Sequence, residues 1–195
     1  MHDSGILRNY LSETSAAIRA LDYKSIQNLA EKIIEIRDAG GFIYIFGNGG
    51  SAATATHFCG DLIKGVSWGL EKKIKCLCLN DNLSACMAIA NDISYSDIFS
   101  EQLKNFIMPG DLVIAISGSG NSENILKALE LARSRRVCTA LLCGFDGGKA
   151  LKLADLPVHV KINNMEIAED IHLVILHCIK SALMKILYTE KTQPA

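Results

Sequence analysis

The amino-acid sequence predicts an α/β fold, a three-layer doubly wound sheet of about five parallel strands with helices ahead of it. Two observations predict it, and composition permits it. From residue 42 onward, short runs that are apolar throughout, such as Phe42–Phe46 and Leu112–Ile116, alternate with longer runs of helical period. Strands apolar on both faces need cover on both faces, and parallel sheets receive it from their crossover helices. Glycines and serines follow directly after several of these runs, where the chain must turn from strand into helix. At 195 residues and 49% apolar, the chain can bury a substantial core as one domain spanning 1–195.

The elements follow in order. Ile6, Leu7, Tyr10 and Leu11 begin a helical stripe that Ala17, Ile18 and Leu21 continue. After a break near Asp22, a second stripe runs Ile26, Leu29, Ala30, Ile33, Ile34 and stops at Gly40-Gly41. Phe42–Phe46 is a strand, followed by a glycine loop and a helix to about Lys64. Ile74–Leu79 is a strand, then come helices from Asn82 to about Ala90 and from Ser96 to Phe106. Leu112–Ile116 is a strand, with a serine-rich loop and a helix to about Ser134. Val137–Cys143 and Leu156–Val160 complete the sheet, and Met165–Leu187 is a long closing helix. The tail Thr189–Ala195 is polar and expected to fray.

Charge excludes some partners. The net charge is −1 with both signs interspersed, so there is no footprint for nucleic acid. The one basic run, Arg133-Ser134-Arg135-Arg136, reads as cations at a helix C-terminus. The first residues lack the basic and apolar regions of a signal peptide. No uninterrupted apolar run reaches about 18 residues, so no membrane span is expected. The seven cysteines, an odd number without a Cys-x-x-Cys pair, suit buried free thiols in a reduced cytoplasm.

In doubly wound sheets ligands bind beyond the carboxyl ends of the strands. Gly47-Asn48-Gly49-Gly50-Ser51 sits at such an end; its glycines allow close backbone approach, and the helix start offers free amides. Gly47-x-Gly49-x-x-Ala52 also matches a dinucleotide fingerprint, but Asp81 comes about thirty residues on, later than the usual ~20 for the ribose-binding acid. Ser117-Gly118-Ser119-Gly120-Asn121-Ser122 offers three hydroxyls at i, i+2 and i+5 beside helix-start amides. That set can surround a phosphate without any cation. No Gly-Lys-Ser/Thr follows, which excludes a nucleotide P-loop. Asn91-Asp92 follows the next helix and reads equally as a turn or a ligand contact.

Two helices carry histidines with carboxylates. His57 and Asp61, four apart, share a face. On the closing helix, Asp170 lies about 20° and Glu169 about 80° from His177 around the axis at ~100° per residue, so either could converge with it. Two His and two carboxylates can hold zinc or move protons; they can equally be surface packing. His2 and His159 are read as structural.

Taken together, Gly47-Asn48-Gly49-Gly50-Ser51, His57-Phe58, Ala90-Asn91-Asp92, Asp97-Ile98-Phe99, the Ser117–Ser122 loop, Asp146-Gly147-Gly148-Lys149 and the glutamate–histidine pattern of the last helix resemble the sugar isomerase (SIS) domain family. Within it they resemble the sedoheptulose-7-phosphate isomerases, nearly end to end. The resemblance implies a flavodoxin-like sheet and a homotetramer with zinc sites between subunits. The activity implied is enediol aldose–ketose isomerisation of a phosphorylated sugar, for surface-polysaccharide heptose synthesis. Carried over by position, Ser117, Gly118, Ser119 and Ser122 belong to the phosphate loop. Asn48, Gly49, Gly50, Ser51, Asp61, Asn91, Asp92 and Glu169 line the sugar, and His57, Asp61, Glu169 and His177 hold metal. Asp61 and His177 double as the acid–base pair.

Four positions depart from better-known members: Asp61 replaces Glu, Glu169 replaces Gln, Gly118 replaces a hydroxyl residue, and Gly65 replaces a substrate-contacting Arg. The family also contains an adaptor that binds the replication initiator, sensors joined to DNA-binding domains, and isomerases of other phosphosugars. A sensor would need a further domain, and an adaptor would not need Asp61, Glu169 and His177 together.

Overall fold

A computed structural model describes residues 4–191. Two helices come first, α1 (Ser4–Arg19) and α2 (Tyr23–Ala39). Asp22 separates them by capping: its carboxylate accepts from the Lys24 amide at 2.9 Å. Gly40, left-handed at φ 79°, ends α2 and returns its amide to the Arg37 and Ile36 carbonyls.

Five strands follow: β1 (Phe42–Gly47), β2 (Lys75–Cys78), β3 (Leu112–Ser117), β4 (Cys138–Cys143) and β5 (Leu156–His159). All pair in parallel, in the order β2-β1-β3-β4-β5. The chain therefore reverses its winding between β1 and β3, and a crevice opens there at the carboxyl edge.

The crossovers are α3 (Gly49–Gly60), α4 (Leu83–Asp92), α5 (Ser100–Lys104) and α6 (Glu123–Ser134), and α7 (Met165–Lys191) closes the fold. Strand alternation sorts the core into two layers. Ile43, Ile45, Ile114, Ala140 and Leu142 face α2, α3 and α7, while Tyr44, Phe46, Val113, Ala115 and Leu141 face α5 and α6. Each fully buried Ile, Leu or Phe among them contributes roughly 1.5–3 kcal/mol over exposure.

Several local expectations change. The helix after the glycine loop is not regular to Lys64: α3 gives way to a π-helical stretch, Asp61–Val66. The expected Ser96–Phe106 helix splits into a 3₁₀ turn, Tyr95–Asp97, and the five-residue α5. The split is held by Lys127, whose ammonium binds both Asp97 oxygens at 2.9 and 3.0 Å and the Ser96 hydroxyl at 2.8 Å. The Ser94 hydroxyl, with that cation, holds the Asp97 carboxyl below its ordinary range. Thr189 to Lys191 continue α7, where fraying was expected; residues 192–195, and His2, lie outside the described residues.

By length and composition α7 would pass for a membrane span. Here Ile167, Ile171, Ile175, Ile179, Leu183 and Leu187 form its buried stripe against the sheet. The cysteines are free, but not all are buried: Cys178 is exposed, and Cys86 and Cys138 are half-buried. The basic run does end a helix, with Arg135 and Arg133 donating to the Lys104 and Lys152 carbonyls at 3.0 and 3.2 Å.

Candidate active site

The two loops singled out by sequence lie side by side, because β1 and β3 are neighbours in the sheet. Asn48 and Asn124 join them through a reciprocal amide pair, each bond 2.9 Å. Tyr95 adds a third bond, donating its hydroxyl to Asn48 Oδ1 at 2.9 Å. The Asn48 side chain, expected to line the sugar, is thus spent on tying α3 to α6 and the Tyr95 turn. On the other side, Asn80 brackets Gly47, accepting from its amide at 3.2 Å and donating to its carbonyl at 2.9 Å. Asp81, the residue a dinucleotide would need, instead accepts from Thr56 at 2.9 Å.

The serine loop is preorganised. Ser117 Oγ accepts from the Gly120 amide at 3.2 Å, and Ser119 Oγ accepts from the Asn121 amide at 3.3 Å. With their oxygens engaged as acceptors, these hydroxyls keep their own O–H bonds for an incoming anion. Ser122 occupies the N-cap position of α6, and its hydroxyl makes no cap bond. The first two amides of α6 have no acceptor inside the helix, as at any helix start, while the Ile125 amide already donates to the Ser122 carbonyl at 3.0 Å. The Asp146–Lys149 turn locks this loop from outside: Gly144 donates to the Gly118 carbonyl at 2.8 Å and Ala150 to that of Gly120 at 2.9 Å. Gly120 has φ 64°, and a Cβ there would run into the Gly147 carbonyl, so only glycine fits.

Gly118 is pressed by another residue. A Cβ on it would strike the sulfur of Met165, the first residue of α7. One turn further along α7, Glu169 lays its carboxylate against Gly50, whose Cβ would meet Glu169 Cδ at 2.8 Å. Asp170 turns the other way and accepts from the Tyr10 hydroxyl of α1 at 2.6 Å. The two carboxylates that helical phase left undecided are therefore separated: Glu169 faces the glycine loop, and Asp170 is tied to α1. Burial, with Glu166 and Asp170 nearby, raises the Glu169 carboxyl above its ordinary range.

His57, Asp61 and His177 meet. His57 Nε2 stands 2.9 Å from His177 Nε2, and Asp61 Oδ2 lies 3.5 and 3.6 Å from those same nitrogens. Asp61 Oδ2 is buried and has no hydrogen-bond partner. Two imidazole nitrogens facing each other beside an orphaned carboxylate oxygen form a donor set that suits a divalent cation. The three ligand atoms lie within 4.8 Å of one another. Glu169 is outside this cluster; eight residues before His177, it sits about 12 Å back along the helix axis.

Three contributors escaped the sequence reading. Asn124 is buried at the heart of the loop pair. Tyr95 reaches Asn48 from the 3₁₀ turn. Lys180 places Nζ 2.5 Å from Asp61 Oδ1. His172, on α7 itself, is fully buried with neither ring nitrogen hydrogen-bonded and takes no part in the site. Lys180 had a signal, since three residues after His177 it shares that helix face. Asn91 and Asp92 form the last turn of α4 rather than a loop; both are exposed, and Asn91 donates to Asp92 at 2.8 Å. His159 does remain structural, its Nε2 lying 2.9 Å from the Phe145 carbonyl oxygen.

Known proteins are similar to this chain in sequence and fold. Residues 8–142 match the SIS domain family. A phosphoheptose isomerase of Shewanella sp. strain ANA-3 is 36% identical over 174 residues, 87% of each chain. The phosphoheptose isomerase structure from Neisseria gonorrhoeae superposes with TM-score 0.84 at 26% identity, over 91% of this chain and 96% of that one. That from Francisella tularensis gives TM-score 0.87 at 25% identity, covering 95% of this chain and 100% of that one. With its serine loop, its His57–Asp61–His177 cluster and these likenesses, the chain belongs to the SIS domain family, among the phosphoheptose isomerases.

Proposed function

We propose that this aldose–ketose isomerase interconverts sedoheptulose 7-phosphate and glycero-manno-heptose 7-phosphate, in the cytoplasm, for the heptose of surface polysaccharide. The observation that carries the reading is the buried, unpartnered Asp61 Oδ2 between two imidazoles, one of them on α7, whose first residue lies against the serine loop. A binding module has no use for a desolvated carboxylate oxygen with two proton carriers beside it.

Ser117, Ser119, Ser122 and the first amides of α6 hold the phosphate and fix one end of the substrate. Asp61 takes the proton from the carbon beside the carbonyl, and His177 gives a proton to the carbonyl oxygen, yielding the enediol. The two then exchange roles to return a proton to the neighbouring carbon. His57, Asp61 and His177 would hold zinc, and Glu169, about 12 Å back along α7, would face the sugar rather than the ion. Bound there, the ion would polarise the two reacting oxygens as a Lewis acid. Gly49, Gly50, Ser51, Asn91 and Asp92 wall the sugar.

The active form is a homotetramer whose sites lie between subunits. Support comes from spacing: Met165, against the serine loop, and His177 are twelve residues apart on one helix, about 18 Å along its axis. Both imidazoles of the cluster are also about half exposed, 53% for His57 and 47% for His177, leaving room for a neighbouring chain.

The test is to supply purified protein with sedoheptulose 7-phosphate and zinc and to follow aldose formation by NMR. Steady appearance of the aldose signal, lost on chelation, is expected. Turnover of a different phosphosugar alone would move the assignment within the family, and none at all would end the enzyme reading.

A further inference from the structure

Asp61 has two carboxylate oxygens, and the fold treats them differently. Oδ2 is buried between His57 and His177, while Oδ1 is taken by Lys180 Nζ at 2.5 Å. The Asp61 side chain is only 12% exposed and that of Lys180 28%, so this is a partly desolvated pair rather than a surface contact. Room has been made for it. A Cβ on Gly65 would stand 3.0 Å from Lys180 Cε and 3.7 Å from Asp61 Oδ1, squeezing the lysine from its path. Gly65 and Asp61 belong to the same π-helical stretch, Asp61–Val66. Such turns are uncommon and recur at functional sites, where they re-aim side chains.

We propose that Lys180 is a positioning residue that limits Asp61 to a single donor oxygen and weakens the hold of the cluster on its metal. This rests on the reading of His57, Asp61 and His177 as a divalent-metal site. With Oδ1 engaged by an ammonium, only Oδ2 is left to face the imidazoles, and the carboxylate cannot embrace an ion with both oxygens. A cation on each oxygen of one carboxylate also means mutual repulsion. Even at the screening of bulk water, that repulsion weakens the hold about tenfold. The consequence is an ion held by few protein donors, keeping positions open for the two oxygens of a substrate.

The experiment is a cobalt(II) titration of metal-free protein, following the visible bands and the affinity by competition with a chromophoric chelator. Wild-type protein and Lys180→Arg are expected to bind alike. Lys180→Met is expected to bind about tenfold more tightly, with weaker visible bands as Asp61 closes on the ion with both oxygens. Gly65→Ala, which displaces the lysine without removing it, is expected to shift in the same direction; it keeps the test open should Lys180→Met fail to fold. Unchanged affinity and spectrum in Lys180→Met would overturn the proposal. So would weaker binding with an unchanged spectrum, the mark of a merely structural lysine. Failure of wild-type protein to bind cobalt at all would overturn the metal site itself, and the proposal with it.

Discussion

Acid should unfold this protein through a residue that takes no part in the proposed chemistry. His172 is fully buried on the inner face of α7, and neither ring nitrogen has a hydrogen-bond partner. Burial pushes its imidazole down to about 4 from 6.5. The folded chain therefore keeps His172 neutral while the unfolded chain protonates it near its ordinary value. Stability is whole above pH 6.5 and is lost as pH falls toward 4, because the unfolded state then binds the extra proton. A depression of about 2.5 units at 1.36 kcal/mol each amounts to about 3.4 kcal/mol, of which about 2 kcal/mol is gone by pH 5. The assay is urea denaturation at pH 7.5 and pH 5.0, with chelator present so that metal release does not contribute. His172→Leu removes the titrating group, so wild type should lose about 2 kcal/mol more than the variant across that interval. Carboxylates such as Glu169 titrate in both chains and cancel in the difference. Equal losses in the two proteins would show that His172 is solvated or paired, and the reasoning would fail.

Asp61→Ala and His177→Ala should each abolish turnover, and each should weaken cobalt binding in equilibrium dialysis; retained rates would remove both from the mechanism. Gly118→Ser should lower stability by about 1–3 kcal/mol through collision with the Met165 sulfur. Met165→Ala in the same chain should restore it, read as the melting temperature with and without inorganic phosphate. Asn124→Leu should cost about 1–3 kcal/mol by stranding the Asn48 amide beside a buried apolar group. In a double-mutant cycle with Asn48→Leu, the two losses should fall well short of adding.

Much of the fold was legible because its signals are local and periodic. The wholly apolar runs at Phe42 and Leu112 read as strands of a covered parallel sheet, and they are. Gly40 stopped α2 where its left-handed conformation was needed. The misjudged segments were those where tertiary contacts override periodicity. Ser96–Phe106 has the composition of one helix, yet Lys127, thirty residues on, anchors Asp97 and leaves five residues for α5. The π-helical stretch at Asp61 gave no warning either, since one wider turn hardly alters the apolar spacing.

The site divides along the same line. Residues whose chemistry needs a strand end or a shared helix face could be found from spacing, and His57, Asp61 and the three serines were. Asn124 and Lys180 were not, because each matters through a partner distant in sequence, Asn48 and Asp61. Helical phase alone could not choose between Glu169 and Asp170, because the choice is made by what lies opposite each. Tyr10 of α1 holds Asp170, and the bare Gly50 lets Glu169 lie close against the glycine loop. That makes α7 the element that sets the geometry. Met165 touches Gly118, Glu169 touches Gly50, His177 meets His57 and Lys180 reaches Asp61, all from one helix whose buried stripe fixes its rotation. A single inserted residue between Met165 and His177 would turn one end by ~100° relative to the other. The anion loop and the proton-moving cluster would then no longer share a wall, even though every residue named for the chemistry was still present.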